Sequence, residues 1–227
     1  MHRQHILFGV VAALATAWMN HASAQLMFSS SFGNAPTYAA FGVFDGKVGV
    51  VEINLNTNAC ATRTFSSNTS LTQQVNFFLG NGNHRARVIT PDWPASICGK
   101  NVTAYTGSKK IFVLGGSGQD IIIGGPSSAV GGGGGDDALV LLGAAPSGGD
   151  GGNDWIIQYG SDGDTQMAGG DGNDVLCDFH DGSGMWGGPG TDSTWNAIAR
   201  SSMDNEKQAN PDDCSWVAFS VLAGSPF

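Results

Sequence analysis

A glycine- and aspartate-rich unit recurs five times between Gly115 and Trp195, and it constrains the fold of this 227-residue chain more than any other feature. Each copy fits the pattern GGxGxDxUx, with U an apolar residue, or departs from it at one or two positions: GGSGQDIII, GGGGDDALV, GDGGNDWII, GGDGNDVLC and GGPGTDSTW. The sixth-position aspartates recur at sequence intervals that are all close to twice nine: Asp120, Asp137, Asp154, Asp174 and Asp192. A unit repeated at a fixed period folds into coils that stack on one another.

Within each nine-residue unit, the first six positions are turn residues and the last three predict a short strand. Glycines at the first, second and fourth positions allow positive φ and leave carbonyl oxygens uncovered. The sixth-position aspartate adds a carboxylate. Calcium takes six to eight oxygens, which is more than one turn offers, so stacked turns would have to share each ion. The eighth-position residues are expected to point inward and form a thin core: Ile122, Leu139, Ile156, Leu176 and Thr194.

The unit resembles the calcium-binding repeat of the RTX (repeats-in-toxin, or haemolysin-type) family, and the resemblance covers roughly a third of the chain. It implies an all-β fold built on a right-handed parallel β-roll, with two nine-residue halves per coil and Ca²⁺ between successive loops. The aspartates implied as side-chain ligands are Asp120, Asp137, Asp154, Asp174 and Asp192. The implied main-chain ligands are Gly116, Gly118, Gly133, Gly135, Gly152, Gly170, Gly172, Gly188 and Gly190. We assign Asp150 and Asp171 to the third position and Asn153 and Asn173 to the fifth, where they would support the sites.

The half-coils between the five units depart from the family pattern. They read GGPSSAVG, LLGAAPSG, QYGSDGDTQM and DFHDGSGMW, and the third keeps most acidity with Asp162 and Asp164, followed by the fourth with Asp178 and Asp181. We therefore predict one well-formed calcium column of up to four shared sites on one side of the roll. The opposite side is expected to be degenerate. The interval between Asp154 and Asp174 is longer than the others and predicts a bulge that weakens the site there.

The flanking sequences divide the chain into four regions. Residues 1–24 have a secretory signal pattern, with Arg3, an apolar run from Ile6 to Met19 and an A-x-A site before Gln25. Residues 25–110 predict a small antiparallel β region, either a domain of its own or a cap. Residues 111–195 predict the β-roll, and residues 196–227 a C-terminal cap. Cleavage before Gln25 predicts a secreted, extracellular or periplasmic protein, whereas members of the family usually carry an uncleaved C-terminal export signal.

Local patterns predict elements in the two flanking regions. Asp45-Gly46 favours a hairpin between Ala39–Phe44 and Lys47–Leu55, and Gly80 to Asn83 predicts a second hairpin between flanking strands. In the tail, residues 196–210 predict a helix that ends before Pro211. Residues 216–222 predict a final strand.

The negative charge of the chain limits the classes of ligand that it can bind. The formal net charge is −9, and residues 111–199 contain twelve Asp and no Lys or Arg. Nucleic acid is an improbable partner because phosphate binding needs basic side chains. A hard cation fits clustered oxygen ligands. The chain from Gln25 onward has no apolar run long enough for a transmembrane segment.

Four cysteines in an exported chain favour disulfides over free thiols. Three pairings are possible, and we favour Cys60–Cys98 and Cys177–Cys214 because each bridge then stays within one region.

The sequence contains no zinc-protease HExxH motif and no GxSxG nucleophile motif, which favours a non-enzymatic protein. His84 is interpreted as an exposed hairpin residue and His180 as a loop residue or auxiliary ligand. Two alternatives stay open. One is a secreted hydrolase with its site in residues 25–110, where His84, Asp92 or a nearby serine would converge, and with the roll as stabiliser. The other is a surface adhesion or matrix module.

Overall fold

The computed structural model describes residues 25–126, 128–143, 146–160, 165–180, 184–196, 202–203 and 207–223. The fold of this part of the chain is mostly β, with one short helix, so the all-β prediction is confirmed. Within these ranges no helix is long and apolar enough to cross a membrane. The predicted signal peptide, and Asp162, Asp164 and Asp181, lie outside the described residues.

Two large sheets carry most of the chain. The strands of sheet A, from one edge to the other, are β1 (Gln25–Ser29), β5 (Gln74–Phe78), β9 (Ile111–Leu114), β11 (Ser128–Gly134), β13 (Ser147–Gly151), β15 (Gln166–Asp171), β17 (Gly184–Trp186) and β19 (Ser202–Met203). All neighbouring strands of this sheet are parallel.

The strands of sheet B, in the same manner, are β20 (Lys207–Gln208), β18 (Ser193–Asn196), β16 (Val175–Asp178), β14 (Trp155–Gln158), β12 (Ala138–Leu141), β10 (Ile121–Gly124), β6 (Arg85–Val88), β2 (Thr37–Phe44), β3 (Lys47–Asn54) and β4 (Cys60–Thr64). The sheet is parallel from β20 to β2, and antiparallel across β2, β3 and β4. From β9 onward successive strands alternate between the sheets, so the chain winds in coils of two strands each.

The core lies between the two sheets. The eighth-position residues Ile122, Leu139, Ile156 and Leu176 are fully buried there, and Thr194 at the last coil is also buried. Val130, Met167 and Met185 meet them from sheet A. From β9 to β17, each strand contributes only one or two side chains to this layer, because alternate residues of a strand point to opposite faces. The inward orientation predicted for the eighth position is confirmed.

The strands before residue 110 continue the same two sheets. β5 pairs in parallel with β1 and β9, and β6 pairs in parallel with β2 and β10. The first predicted hairpin is confirmed by the antiparallel β2–β3 pair around Asp45-Gly46. The second predicted hairpin is wrong, because β5 belongs to sheet A and β6 to sheet B. Gly80 to Asn83 connects the two sheets as a turn of the coil.

A second apolar cluster covers the outer face of sheet B at its N-terminal end. The short antiparallel pair β7 (Ala95–Ile97) and β8 (Lys100–Val102) lies over the outward side chains of β2 and β3. The disulfide Cys60–Cys98 ties this pair to β4. The predicted Cys60–Cys98 and Cys177–Cys214 bridges are both confirmed.

The helix and the strand predicted for the tail are both wrong. β18, β19 and β20 include residues from the span predicted to be helical, and helix α1 occupies Pro211–Ala223, where a strand was predicted. Pro211 begins the helix instead of ending one, because proline is tolerated in the first turn, where its missing N–H has no helical partner. Asn210 caps the turn by accepting a hydrogen bond from the Asp212 N–H through Oδ1 at 3.1 Å.

Helix α1 covers the outer face of sheet B. Cys214, Ala218 and Val221 pack on the row formed by Ile123, Val140, Ile157 and Cys177. These helical positions are spaced by four and three residues and therefore share one face. The Cys177–Cys214 disulfide fixes the helix to the central part of the sheet.

Candidate metal centre

The five sixth-position aspartates form a single column. Each immediately precedes a strand of sheet B, and the register pairs Ile121, Ala138, Trp155, Val175 and Ser193 across neighbouring strands. All five aspartates are at most 2% exposed. The sequence thus predicted correctly that these carboxylates lie at equivalent points of successive coils.

One carboxylate oxygen of each aspartate is held by the preceding coil. The main-chain N–H of Asp120 donates to Oδ1 of Asp137 at 2.7 Å, and that of Asp137 donates to Oδ1 of Asp154 at 2.8 Å. The N–H groups of Asp154 and Asp174 donate in the same way to the Oδ1 atoms of Asp174 and Asp192, at 2.8 and 3.0 Å. This hydrogen-bonded ladder gives every carboxylate the same orientation.

The second carboxylate oxygen has a different environment. The Oδ2 atoms of Asp137, Asp154 and Asp174 are buried and accept no hydrogen bond from the protein. Burying an oxygen without a partner is costly, more so when it carries charge. Such atoms need either a proton or a cation.

Burial is the main cause that raises the pKa values of these carboxyls. The pKa rises to about 7 for Asp137 and Asp154, and to about 6 for Asp174. Repulsion between neighbouring carboxylates adds to the effect, while the N–H bond to each Oδ1 opposes it. Burial also raises the pKa of Asp120 to about 6, although its Oδ2 accepts a hydrogen bond from the Gly116 N–H at 3.1 Å.

The first-position glycines make room for these oxygens. A Cβ on Gly149 would collide with Oδ2 of Asp154 and with the carbonyl oxygen of Gly169 in the next coil. Gly169 stands in the same relation to Asp174 and to the carbonyl of Gly187. The first-position glycines do not have positive φ, so that part of the sequence argument is wrong. Glycine is required there because a carboxylate and a carbonyl oxygen occupy the space of a side chain.

The second- and fourth-position glycines do use left-handed backbone. Positive φ occurs at Gly133, Gly135, Gly152, Gly170, Gly172, Gly188 and Gly190. At the fourth position, the carbonyl oxygens of Gly118, Gly135 and Gly152 each point at the glycine of the following coil. Main-chain oxygens therefore also stack along the turns. Gly116 and Gly118 belong to the same columns without positive φ.

Asp150 does not occupy the predicted third position. The register pairs it with Gly133 and Gly170, which are second-position residues, and its φ is 75°. The unit GDGGND has aspartate where the other units have their second glycine. Its carboxylate lies on the outer face of sheet A, near Gly131 and Gly148, and away from the aspartate column. Asp171 is at the third position and is exposed.

The fifth-position side chains form a second ladder on the exposed side of the turns. Oδ1 of Asp136 accepts from the N–H and the amide of Asn153, and Oδ1 of Asn153 accepts in the same way from Asn173. Oδ1 of Asn173 then accepts from the N–H of Thr191 at 2.9 Å. These side chains join neighbouring loops by accepting hydrogen bonds from main-chain N–H groups.

A sixth member of the column was missed in the sequence. Arg85 pairs with Ile121, which places His84 at the aspartate position of the preceding coil. The His84 N–H donates to Oδ1 of Asp120 at 2.7 Å, and Nε2 accepts from the Gly82 N–H at 3.1 Å. Burial lowers the pKa of this imidazole. The signal was the run GNGNH, which ends two intervals before Asp120, and the exposed hairpin interpretation of His84 is wrong because the residue is 1% exposed.

The longer interval between Asp154 and Asp174 does not disturb the aspartate column. Ser147 pairs with Met167 in sheet A, and Trp155 pairs with Val175 in sheet B, so both sheets take the same offset. The turns that lead into β14 and β16 therefore have the same length. The Asp154–Asp174 step keeps a hydrogen bond of the same length as its neighbours.

Polar side chains of the opposite turns form hydrogen bonds within the protein, although Oε1 of Gln158 is buried without a partner. Asp178 is buried, and its Oδ1 accepts from the His180 N–H at 2.8 Å. Gln158, one coil earlier in the same register, donates through Nε2 to the carbonyl oxygens of Gly143 and Gly160. The half-buried His180 has its Nε2 3.1 Å from the Tyr159 carbonyl oxygen.

Two other observations bear on chemistry. Across the described ranges, no three His, Cys, Asp or Glu side chains converge on one point. A cation in the column would therefore lie between coils, with two carboxylates and several main-chain oxygens around it.

The two residues named for a hydrolase site lie in different surroundings. Asp92 is on an exposed turn, whereas the imidazole of His84 accepts a hydrogen bond from the Gly82 N–H inside the coil.

Searches of protein-family models, curated proteins and solved structures found no match to this chain.

Proposed function

We propose that the chain is an exported, non-enzymatic calcium-binding protein whose coils are stabilised by Ca²⁺ ions between stacked GGxGxD turns. The observation that carries the proposal is the buried Oδ2 atom, without a protein partner, at Asp137, Asp154 and Asp174. When ionised, three such atoms at successive steps would form a column of negative charge inside the molecule. A cation column is the simplest way to compensate it.

The donor set fits a hard cation. At Gly149 and at Gly169, an Oδ2 atom and the first-position carbonyl oxygen of the next coil both approach the Cβ position of the glycine. The stacked second- and fourth-position carbonyls add further oxygens. Calcium prefers six to eight oxygen ligands and tolerates irregular geometry, whereas zinc and copper prefer nitrogen and sulfur. The ligands would be the five aspartates with the glycine carbonyls, in up to four shared sites.

Electrostatics supports the same assignment. Neighbouring strands are separated by about 4.8 Å, so the carboxylates repel one another when ionised. Bound Ca²⁺ would replace repulsion by attraction along the whole column. Folding would then be coupled to the ion, as in other proteins whose ligands are assembled only in the folded state.

We further propose that the winding is the right-handed parallel roll of the RTX family, and that the protein acts outside the cytoplasm after signal cleavage before Gln25. The two disulfides are consistent with an extracellular protein. The parallel pairing, the inward eighth-position residues and the aspartate register support the roll.

Thermal unfolding monitored by far-UV circular dichroism tests the proposal. The purified protein is measured after chelation, and again with Ca²⁺ or Mg²⁺ added at equal ionic strength. We expect Ca²⁺ to raise Tm and strand signal strongly, and Mg²⁺ to do so weakly, because Mg²⁺ demands octahedral geometry and holds its water. Identical curves with and without Ca²⁺ would remove the proposal.

A further inference from the structure

A groove crosses the outer face of sheet A, on the side away from the core. It encloses a cavity of about 220 Å³. One row of the sheet register runs along it, from Leu114 on β9 through Gly131, Gly148 and Ala168 to Trp186 on β17. Four strand steps of about 4.8 Å separate the ends of this row.

The row has the profile of a binding trough. Its ends are the large side chains of Leu114 and Trp186, both half-buried, and its middle consists of two glycines and one alanine. Small residues at the centre of a sheet face create a flat floor, and large residues at the ends create walls. Such a shape favours a flat apolar group lying on the floor.

A single carboxylate lies at this floor. The Oδ1 atom of Asp150 is 3.8 Å from the Cβ position of Gly148, and its Oδ2 atom is 4.0 Å from that of Gly131. The residue as a whole is exposed. No Lys, Arg or His is among the described residues that line the groove. The groove therefore presents one negative charge in apolar surroundings.

We propose that this groove binds a small organic cation with a flat apolar body. The body would lie on the Gly131–Gly148–Ala168 floor between Leu114 and Trp186, and an ammonium group would contact Asp150. An ammonium group complements the carboxylate, and the indole of Trp186 adds a face that attracts cations. The cavity is smaller than the roughly 300 Å³ at which the range of typical ligand pockets begins, so the ligand is small.

This site is distinct from the aspartate column. The column lies inside the coil at the turns that lead into sheet B, whereas the groove lies outside sheet A. The proposal does not rest on calcium binding, but the protein is tested with Ca²⁺ present so that both properties can be measured separately.

Isothermal titration calorimetry with 2-phenylethylamine tests the site. The neutral isostere 2-phenylethanol and the anion 3-phenylpropionate are the comparison ligands. We expect the amine to bind, the alcohol to bind at least tenfold more weakly, and the anion not to bind. Equal affinity for amine and alcohol, or no heat from the amine, overturns the proposal.

Three variants locate the binding. Asp150→Asn keeps a side chain that tolerates positive φ and should weaken amine binding at least tenfold. Gly148→Leu places a side chain on the floor, where its Cβ has only ordinary contacts, and should abolish binding. Gly151→Leu is the matched control on the same strand, because a Cβ there meets nothing within 4 Å and the residue is not in the groove. Unchanged affinity in both Asp150→Asn and Gly148→Leu contradicts the site, provided that circular dichroism shows each variant folded.

Discussion

The turns on the two sides of the coil join the same strands, but their buried polar side chains have different hydrogen-bond partners. We call the side with the GGxGxD turns the motif side. On the motif side, Asp137, Asp154 and Asp174 each leave one buried oxygen without a protein partner. On the opposite side, Asp178 accepts a hydrogen bond from His180, and Gln158 donates to two carbonyls. The Oε1 atom of Gln158 is also buried without a partner, but it belongs to a neutral amide, and burying a charged oxygen costs more than burying a neutral one. The proposed cation column would compensate the ionisable oxygens of the GGxGxD turns.

The largest expected effect is that of removing charge from the column. In Asp137→Asn/Asp154→Asn, each amide keeps the Oδ1 acceptor and loses the ionised Oδ2. We expect the calcium-free protein to become more stable, because repulsion is removed. Most of the Ca²⁺-induced rise in Tm should disappear. Calorimetric melting with and without Ca²⁺ measures both the stability of the calcium-free protein and the calcium-induced rise in Tm.

The matched control for this pair is Asp178→Asn, a buried aspartate of the opposite turn. It should leave the calcium response intact, even if it lowers Tm. A lost response in Asp178→Asn, together with a retained one in the double variant, would move the sites to the other side of the coil.

The pH dependence of the calcium-free protein comes next. The pKa values of Asp120, Asp137, Asp154 and Asp174 are raised to about 6 or 7 from an ordinary value of 3.8. The folded state then binds more protons than the unfolded state between roughly pH 4 and 7, so the free energy of unfolding falls as pH rises through this window. Because one pKa unit corresponds to about 1.4 kcal/mol, each of these carboxyls by itself contributes on the order of a few kcal/mol.

Urea unfolding of the chelated protein from pH 5 to pH 8 measures this slope. His84 acts in the opposite direction, because its lowered pKa costs stability as pH falls below about 6.5. Saturating Ca²⁺ should abolish or reverse the slope, since the ion replaces the protons. Higher stability at pH 8 than at pH 5 without Ca²⁺ would show that the column is already compensated.

The disulfide between helix α1 and sheet B separates stability from calcium binding. Cys177→Ser/Cys214→Ser opens a bridge between residues 37 apart, and should lower the free energy of unfolding by about 2–4 kcal/mol. The bridge is on the outer face, so the calcium-induced rise in Tm should persist. If the calcium-induced rise in Tm were lost in this variant, helix α1 would have to help order the turns.

A smaller effect is expected from one added methyl group. In Gly149→Ala, the Cβ meets Oδ2 of Asp154 and the Gly169 carbonyl, which should cost about 1–3 kcal/mol and weaken calcium binding. Gly151→Ala is the control, since its Cβ has free space and its φ is not positive. It should be neutral, or stabilise by up to about 1 kcal/mol. Equal changes in stability and calcium binding in the two variants would show that Gly149 has no special role beside the aspartate column.

Repetition made the coil predictable. Five copies at one interval predicted the aspartate register and the buried row Ile122, Leu139, Ile156 and Leu176, because a regular period fixes which residues stack. The coil of His84 escaped notice, since histidine replaced the aspartate and the interval to Asp120 doubled. Its flanking strands alternate in the same way whether they pair in a hairpin or lie in opposite sheets, so the local pattern could not distinguish the two.

The tail shows a second limit. Trp216 to Leu222 has the composition of a strand, and its position on helix α1 follows from distant contacts. Ala218 and Val221 pack on Val140 and Ile157, and the disulfide at Cys214 holds that face in place. Such contacts have no local signature. Asp150 is a different case, since counting from Gly149 already makes it the second residue of its unit, and the register with Gly133 and Gly170 agrees.

Terbium luminescence tests the cation column most directly, because Tb³⁺ replaces Ca²⁺ at oxygen sites and Trp155 immediately follows Asp154. Excitation of tryptophan in the chelated protein with added Tb³⁺ should produce sensitised emission that Ca²⁺ displaces. The emission should be largely lost in Asp137→Asn/Asp154→Asn and kept in Asp178→Asn. Absence of sensitised emission in the unmodified protein, or undiminished emission in the double variant, would contradict a calcium column at these aspartates.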